Sequence, residues 1–146
     1  DVNWHLGTSF DILPQILPNL KGVALFWMDA HFPGADFGLS SYGDEKDDDK
    51  RLPLKKELET IVENRDTTND VFVIDDLRIY EDGPFESGNW DERSKYGGDG
   101  IEFIENLFDK THYIVRSYNA QGSIILFPVE KNIDDEVNNL IVGDVE

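Results

Sequence analysis

Two apolar runs that each stop dead on carboxylates constrain this chain more than any other feature. The first is Gly22–His31, GVALFWMDAH, which ends on Asp29. The second is Asp70–Arg78, DVFVIDDLR, which ends on Asp75 and Asp76. Short unbroken runs rich in Val, Ile, Phe and Trp fit strands buried on both faces, as in a parallel sheet covered by helices. Ligand sites of open α/β sheets lie just beyond the carboxyl ends of such strands. Two neighbouring strands of this kind would gather two or three carboxylates around one crevice.

The remaining segments supply helices between strands. Val2–Leu6 alternates, with Val2, Trp4 and Leu6 on one side, and reads as a strand. Gly7-Thr8-Ser9 turns the chain into a short helix that Asp11 can cap and that runs towards Leu20. Pro14 is expected in its first turn, where amide protons lack partners anyway. Leu54, Leu58, Ile61 and Val62 recur at helical spacing, with Lys55, Lys56, Glu57 and Glu59 on the opposite face. Asp99-Gly-Ile-Glu102 has the pattern of a capping box, followed by a stripe of Ile101, Ile104, Leu107 and Phe108. Tyr113–Tyr118 and Ser123–Val129 flank Asn119-Ala-Gln-Gly122 and read as a hairpin. The order β-α-β-α-β-α-β-β predicts an α/β fold: a three-layer, mostly parallel Rossmann-like sheet with a C-terminal antiparallel hairpin. Residues 1–130 form the expected domain, and 131–146 an acidic tail in which Val137, Leu140, Ile141 and Val142 could dock locally.

Two stretches carry no periodicity. Phe32–Leu52 holds several glycines and the acidic run Asp44–Asp49, and Glu81–Gly98 holds Pro84, four glycines, Phe85, Trp90 and Tyr96. Connections of this length are functional or poorly ordered. Both should leave the carboxyl end of the sheet and cover one crevice. Trp90 is the aromatic best placed there for a ligand, whereas Trp4, Phe26 and Trp27 are expected in the core. His5 and His112 read as surface or strand-edge residues.

Charge narrows the partners. With 31 acidic against 13 basic residues the formal net charge is −18. Nucleic acid and anionic membranes, which need Lys and Arg contacts, are excluded as partners. No apolar run reaches the roughly 20 residues that span a bilayer, and the absence of cysteine fits a cytoplasmic protein. Clustered acids in a crevice repel, so one stays protonated or a cation neutralises them. Mg²⁺ suits an all-oxygen set of Asp29, Asp75 and Asp76; His31, two residues from Asp29, shifts the preference towards other divalent cations. Against this stands the simpler reading, in which the acids cap helix N-termini or pair with Arg78 or Lys55. Gly97-Gly98-Asp99-Gly100 lacks the Lys-Ser/Thr of a phosphate loop.

On these residues the chain resembles the second half of a class I S-adenosylmethionine-dependent methyltransferase. Val2–Ser9 is similar to the strand and turn that approach the adenine, which implies cofactor contacts from Gly7, Thr8 and Ser9. Ala24–His31 resembles the fourth strand, and implies Asp29 and His31 at the methyl-transfer site. Val71–Arg78 resembles the fifth strand, and the closing hairpin the sixth and seventh. Metal-dependent O-methyltransferases draw Mg²⁺ ligands from the corresponding strand ends, here Asp29, Asp75 and Asp76. The family's first strand, its glycine-rich turn and its acidic second strand have no counterpart between Asp1 and Glu146. The resemblance therefore implies a small-molecule acceptor and completion by a cofactor-binding N-terminal segment or a second chain. Thr8 stands where the family often has an acid, and Phe32 where some metal-dependent members carry Lys. Without that completion, Val2–Leu6 is expected to pair directly with Ala24–Asp29. A non-catalytic acidic binding or assembly domain is the alternative from another class. Trp-Met-Asp-Ala-His also resembles part of the metal motif of arginase-like hydrolases, a minor alternative because Phe32-Pro33 follow and the next Asp is missing.

Overall fold

The computed structural model describes residues 2–29 and 44–129. His31, the first part of the Phe32–Leu52 connection and the tail from residue 131 lie outside these, and so does the proposed boundary at residue 130.

Among the described residues four strands form one sheet: β1 (Leu25–Met28), β2 (Val71–Asp75), β3 (His112–Ser117) and β4 (Ser123–Pro128), in the order β1-β2-β4-β3. β1 and β2 are parallel, with Leu25 opposite Val71 and Met28 opposite Ile74. β4 runs antiparallel between β2 and β3. The closing hairpin thus inserts its second strand beside β2 and leaves its first at the sheet edge, parallel to β1 and β2. The sheet is mixed, and the expected mostly parallel arrangement gives way to one parallel pair and two antiparallel ones.

The helices are α1 (Ser9–Ile16), α2 (Asp48–Arg51), α3 (Leu54–Asn64), α4 (Arg93–Tyr96) and α5 (Glu102–Phe108). α1 packs on α3, and α3 on α5, so these three share one side of the sheet. The core fills the gap beneath them: Leu17, Leu54, Leu58, Ile61, Ile104 and Phe108 meet Met28, Phe72, Ile74, Ile124 and Leu126. Phe72 is its centre. Its ring stacks on Phe26 with centroids 5.0 Å apart and meets Phe108 at 4.9 Å. Among the described residues nothing covers the other face, so the three-layer expectation becomes two layers. The reason lies in the winding. Parallel crossovers are right-handed, and β1→α3→β2 and β2→α5→β3 both step the same way across the sheet, which puts both helices on one face.

Several local expectations change with it. Val2–Leu6 forms no strand and does not pair with β1; Val2, Trp4 and Leu6 are 73, 90 and 100% exposed. Trp27 lies on the uncovered face at 63% exposure rather than in the core. Pro14 is the sixth residue of α1, past its first turn. Glu57, expected on the polar face of α3, is buried between α3 and α1, where the Ser9 hydroxyl hydrogen-bonds its carboxyl. His112 is buried too, edge-on to Phe72 and Phe108, with Nε2 3.0 Å from the Asp70 carbonyl. α5 starts after Ile101, with no side-chain cap, so Asp99 is not the cap the sequence suggests. The stripe of α3 and the hairpin at Asn119–Gly122 match the reading of the sequence.

Candidate functional site

The site is built where β1 and β2 end. Because Met28 stands opposite Ile74, the next residues along the two strands are Asp29 and Asp75. Both line a small pocket with Met28, Leu54, Ile74, Ile79 and Tyr80. Asp29 is exposed and Asp75 half-buried; one Asp75 oxygen accepts the Asp76 amide at 2.9 Å. Asp76 does not join that lining. It adopts a left-handed conformation (φ 55°, ψ 47°) and turns the chain into the 3-10 turn Leu77–Ile79. Adjacent residues on an extended strand face opposite ways, and the strand ends before Asp76 could realign. Among the described residues no three of His, Cys, Asp and Glu are gathered closely enough to hold a metal ion. Asp29 and Asp75 supply two oxygen donors, and His31 is outside the described part.

The hairpin buttresses this end. The Leu77 amide donates to the Gly122 carbonyl at 3.0 Å and Arg78 to that of Gln121 at 3.1 Å. Gly122 has φ +80°, and a Cβ there would lie 2.3 Å from the Phe85 ring, so glycine is required twice over.

Beside the acids opens a larger cavity of about 350 Å³. One wall is α2 and the start of α3, with Asp48, Asp49, Arg51, Leu52 and Lys55. The other is Gly97-Gly98-Asp99-Gly100 with Glu102 and Phe103, and Tyr80 forms part of the lining. Tyr80 also lines the acid pocket, so one ring borders both. The described ends of both irregular stretches line the larger cavity, Asp48, Asp49, Arg51 and Leu52 from the first and Gly97 and Gly98 from the second. Gly98 lies flat on Tyr80; a Cβ would come within 2.5 Å of its ring. Trp90 packs against the core instead and does not line the cavity.

Arg51 is the cavity's anchor. Its side chain is 15% exposed and pairs with Asp48 at 2.6 Å, while its buried Nε has no hydrogen-bond partner among the described residues. Lys55 is exposed at the rim. Opposite them stand the carboxylates of Asp99 and Glu102, and Tyr80 and Phe103 add rings 5.9 Å apart. Such a lining can take a small molecule by its charged groups and its apolar body. Sequence reading missed Arg51 and Tyr80. Arg51 hides at the end of an acidic run, and Tyr80 is one aromatic among several in a loop.

Gly7, Thr8 and Ser9 form the entry to α1. Thr8 is the N-cap residue and its hydroxyl donates to Asp11, while the Ser9 hydroxyl serves Glu57. Both hydroxyls are thus engaged within the fold, and a ligand at this turn would meet backbone. Comparisons with family models, curated proteins and solved structures return no match to this chain.

Proposed function

We propose that this chain is the acceptor-binding half of an S-adenosylmethionine-dependent methyltransferase-like domain, with Asp29 and Asp75 at the reacting centre. The observation that carries the reading is the pair of acids abreast at the ends of adjacent parallel strands, with Tyr80 lining both their pocket and the Arg51 cavity. Two carboxylates with free positions around them suit Mg²⁺, which commonly takes one or two protein carboxylates and fills the rest with water or substrate oxygens. Asp29 and Asp75 would hold it, and its charge would favour the ionised form of an acceptor hydroxyl. S-adenosylmethionine supplies an electrophilic methyl group. The chain's own part is to seat the acceptor against the Tyr80–Phe103 ring pair, orient it through Arg51 and Lys55, and receive its proton at Asp29. Proximity and alignment would carry most of the rate gain.

The alternative, a non-catalytic acidic binding or assembly domain, draws support from the two-donor limit at the strand ends and from the bare sheet face. Calorimetry separates them. Under the first reading Mg²⁺ binds with measurable heat, Asp29→Asn abolishes that heat, and S-adenosylmethionine binds more tightly with Mg²⁺ present. No heat from either ligand favours the second.

A further inference from the structure

The charges around the larger cavity are not all in use. Four acids and two bases line it: Asp48, Asp49, Asp99 and Glu102 against Arg51 and Lys55. On the α2 wall the acids are engaged. Asp48 holds Arg51 at 2.6 Å, and Asp49 accepts from Lys56 at 3.0 Å. Arg51 also reaches the Glu45 carbonyl at 3.4 Å, so its charge is satisfied within its own wall. The facing wall differs. Asp99 is exposed and feels only the field of Arg93, whose guanidinium bonds Asp82 at 3.0 and 2.8 Å instead. Glu102 is exposed as well, and among the described residues its carboxylate has neither a hydrogen bond nor an ion pair; the same holds for the Lys55 ammonium. Two free carboxylates thus face one free cation.

The rest of the lining is apolar and fixed. Tyr80 is 6% exposed, and the backbone of Gly97 and Gly98 lies so close to it that a Cβ on Gly98 would come within 2.5 Å of the ring. Phe103 tilts against Tyr80, and Leu52 completes this side. The volume of about 350 Å³ is at the low end for small-molecule sites, which run from roughly 300 to 1,000 Å³. One ring with a short arm fills such a space.

Chemistry then sorts the occupants. A metal ion lacks ligands, since no three acids or histidines of the described part come together. An anion would meet two free carboxylates in a chain of net charge −18. An uncharged apolar molecule would cover those carboxylates without giving them a partner, which is costly. An organic cation satisfies both halves of the lining. Its ammonium makes charge-assisted hydrogen bonds to carboxylates, and its body packs on rings whose π electrons also attract the charge.

We propose that this cavity binds a small organic amine, with its ammonium on Asp99 and Glu102 and its apolar body against Leu52, Tyr80 and Phe103. Lys55, on the opposite wall, stands clear of the ammonium and meets the far end of the molecule. That the amine is the acceptor of a methyl group rests on the function proposed above; that it binds does not.

The test is calorimetry on the 146-residue chain without Mg²⁺ or S-adenosylmethionine, in about 0.15 M salt to screen the general acidity. The probes are phenethylamine, 2-phenylethanol and 3-phenylpropanoate, which share a ring and differ in charge. Phenethylamine should bind one to one, at least about tenfold more tightly than either of the others. Asp99→Asn with Glu102→Gln should remove that preference and leave the melting temperature unchanged, because both side chains are exposed. Glu63→Gln, an exposed acid at the far end of α3, should leave binding as it is. Absence of phenethylamine binding, equal affinity for the alcohol, or equal weakening by Glu63→Gln would each overturn the proposal. Phenethylamine binding in a chain that takes up neither Mg²⁺ nor S-adenosylmethionine would support it and overturn the methyl-transfer reading alone.

Discussion

Arg65 grips Asp70 with two parallel bonds, Nε to Oδ2 at 2.6 Å and a terminal nitrogen to Oδ1 at 2.8 Å. The pair sits at the amino end of the parallel strands, opposite the acid crevice, and both side chains are nearly inaccessible. Asp70 also accepts the Ala24 amide at 2.8 Å, and Arg65 reaches the carbonyls of Leu20 and Gly22 at 2.9 and 2.7 Å. One ion pair thereby sets β1 against β2. Breaking a buried pair from one side strands the other charge and costs about 3–5 kcal/mol. Arg65→Met should lower stability by about 3 kcal/mol in urea unfolding, whereas a surface pair such as Lys50–Asp47 should matter by under about 1 kcal/mol.

Glu57 is buried, and desolvation raises its pKa above the ordinary carboxylate range, partly offset by the Ser9 hydroxyl. The folded state then holds the proton more tightly than the unfolded state. Its contribution is fully present below the unfolded pKa of about 4.5 and is lost as pH rises through the folded value. Glu57→Gln keeps an acceptor for Ser9 and removes the charge. The variant should melt higher than the parent at pH 7 and equally at pH 4.

His112 works in the opposite sense. Burial lowers its pKa, against a smaller opposing effect from the Asp70 carbonyl. The neutral ring stabilises the fold fully above the unfolded pKa of about 6.5. That contribution is lost as pH falls from there through the folded value. Between pH 6.5 and 5 the parent should lose stability more steeply than His112→Gln, measured by urea midpoints at each pH.

Asp29 and Asp75 carry the metal proposal. A divalent ion at a hundred times its Kd adds about 2.7 kcal/mol to stability. Mg²⁺ should raise the melting temperature, and Asp29→Asn or Asp75→Asn should erase the rise. An equal rise in the parent and both variants would assign the effect to the general acidity of the chain.

Much of this was legible in the chain itself. The apolar runs of β1 and β2 and their acidic ends follow from composition and length, because a short β-branched and aromatic run has few other uses. α3 was readable from the spacing of Leu54, Leu58 and Ile61, and the hairpin from Gly122, since local periodicity and turn chemistry are local properties. That the described ends of the two irregular stretches line one cavity also fits the reading of the sequence, because both connections leave the carboxyl ends of parallel strands.

What the tertiary structure decided is which surfaces have neighbours. Trp27 and Phe72 come from runs of the same character, yet Trp27 is 63% exposed and Phe72 fully buried. A continuous apolar run says that both faces of a strand can be buried; it does not say that both are. Glu57 and His112 went inside because the packing of α1, α3 and α5 closed over them, and an isolated helical or strand pattern contains no record of that. Arg51 reached the cavity through the fold of an acidic connection with no periodicity to read. Local pattern is written in neighbouring residues, whereas burial depends on elements far apart in the chain, and that separates what the sequence determined from what only the assembled fold could.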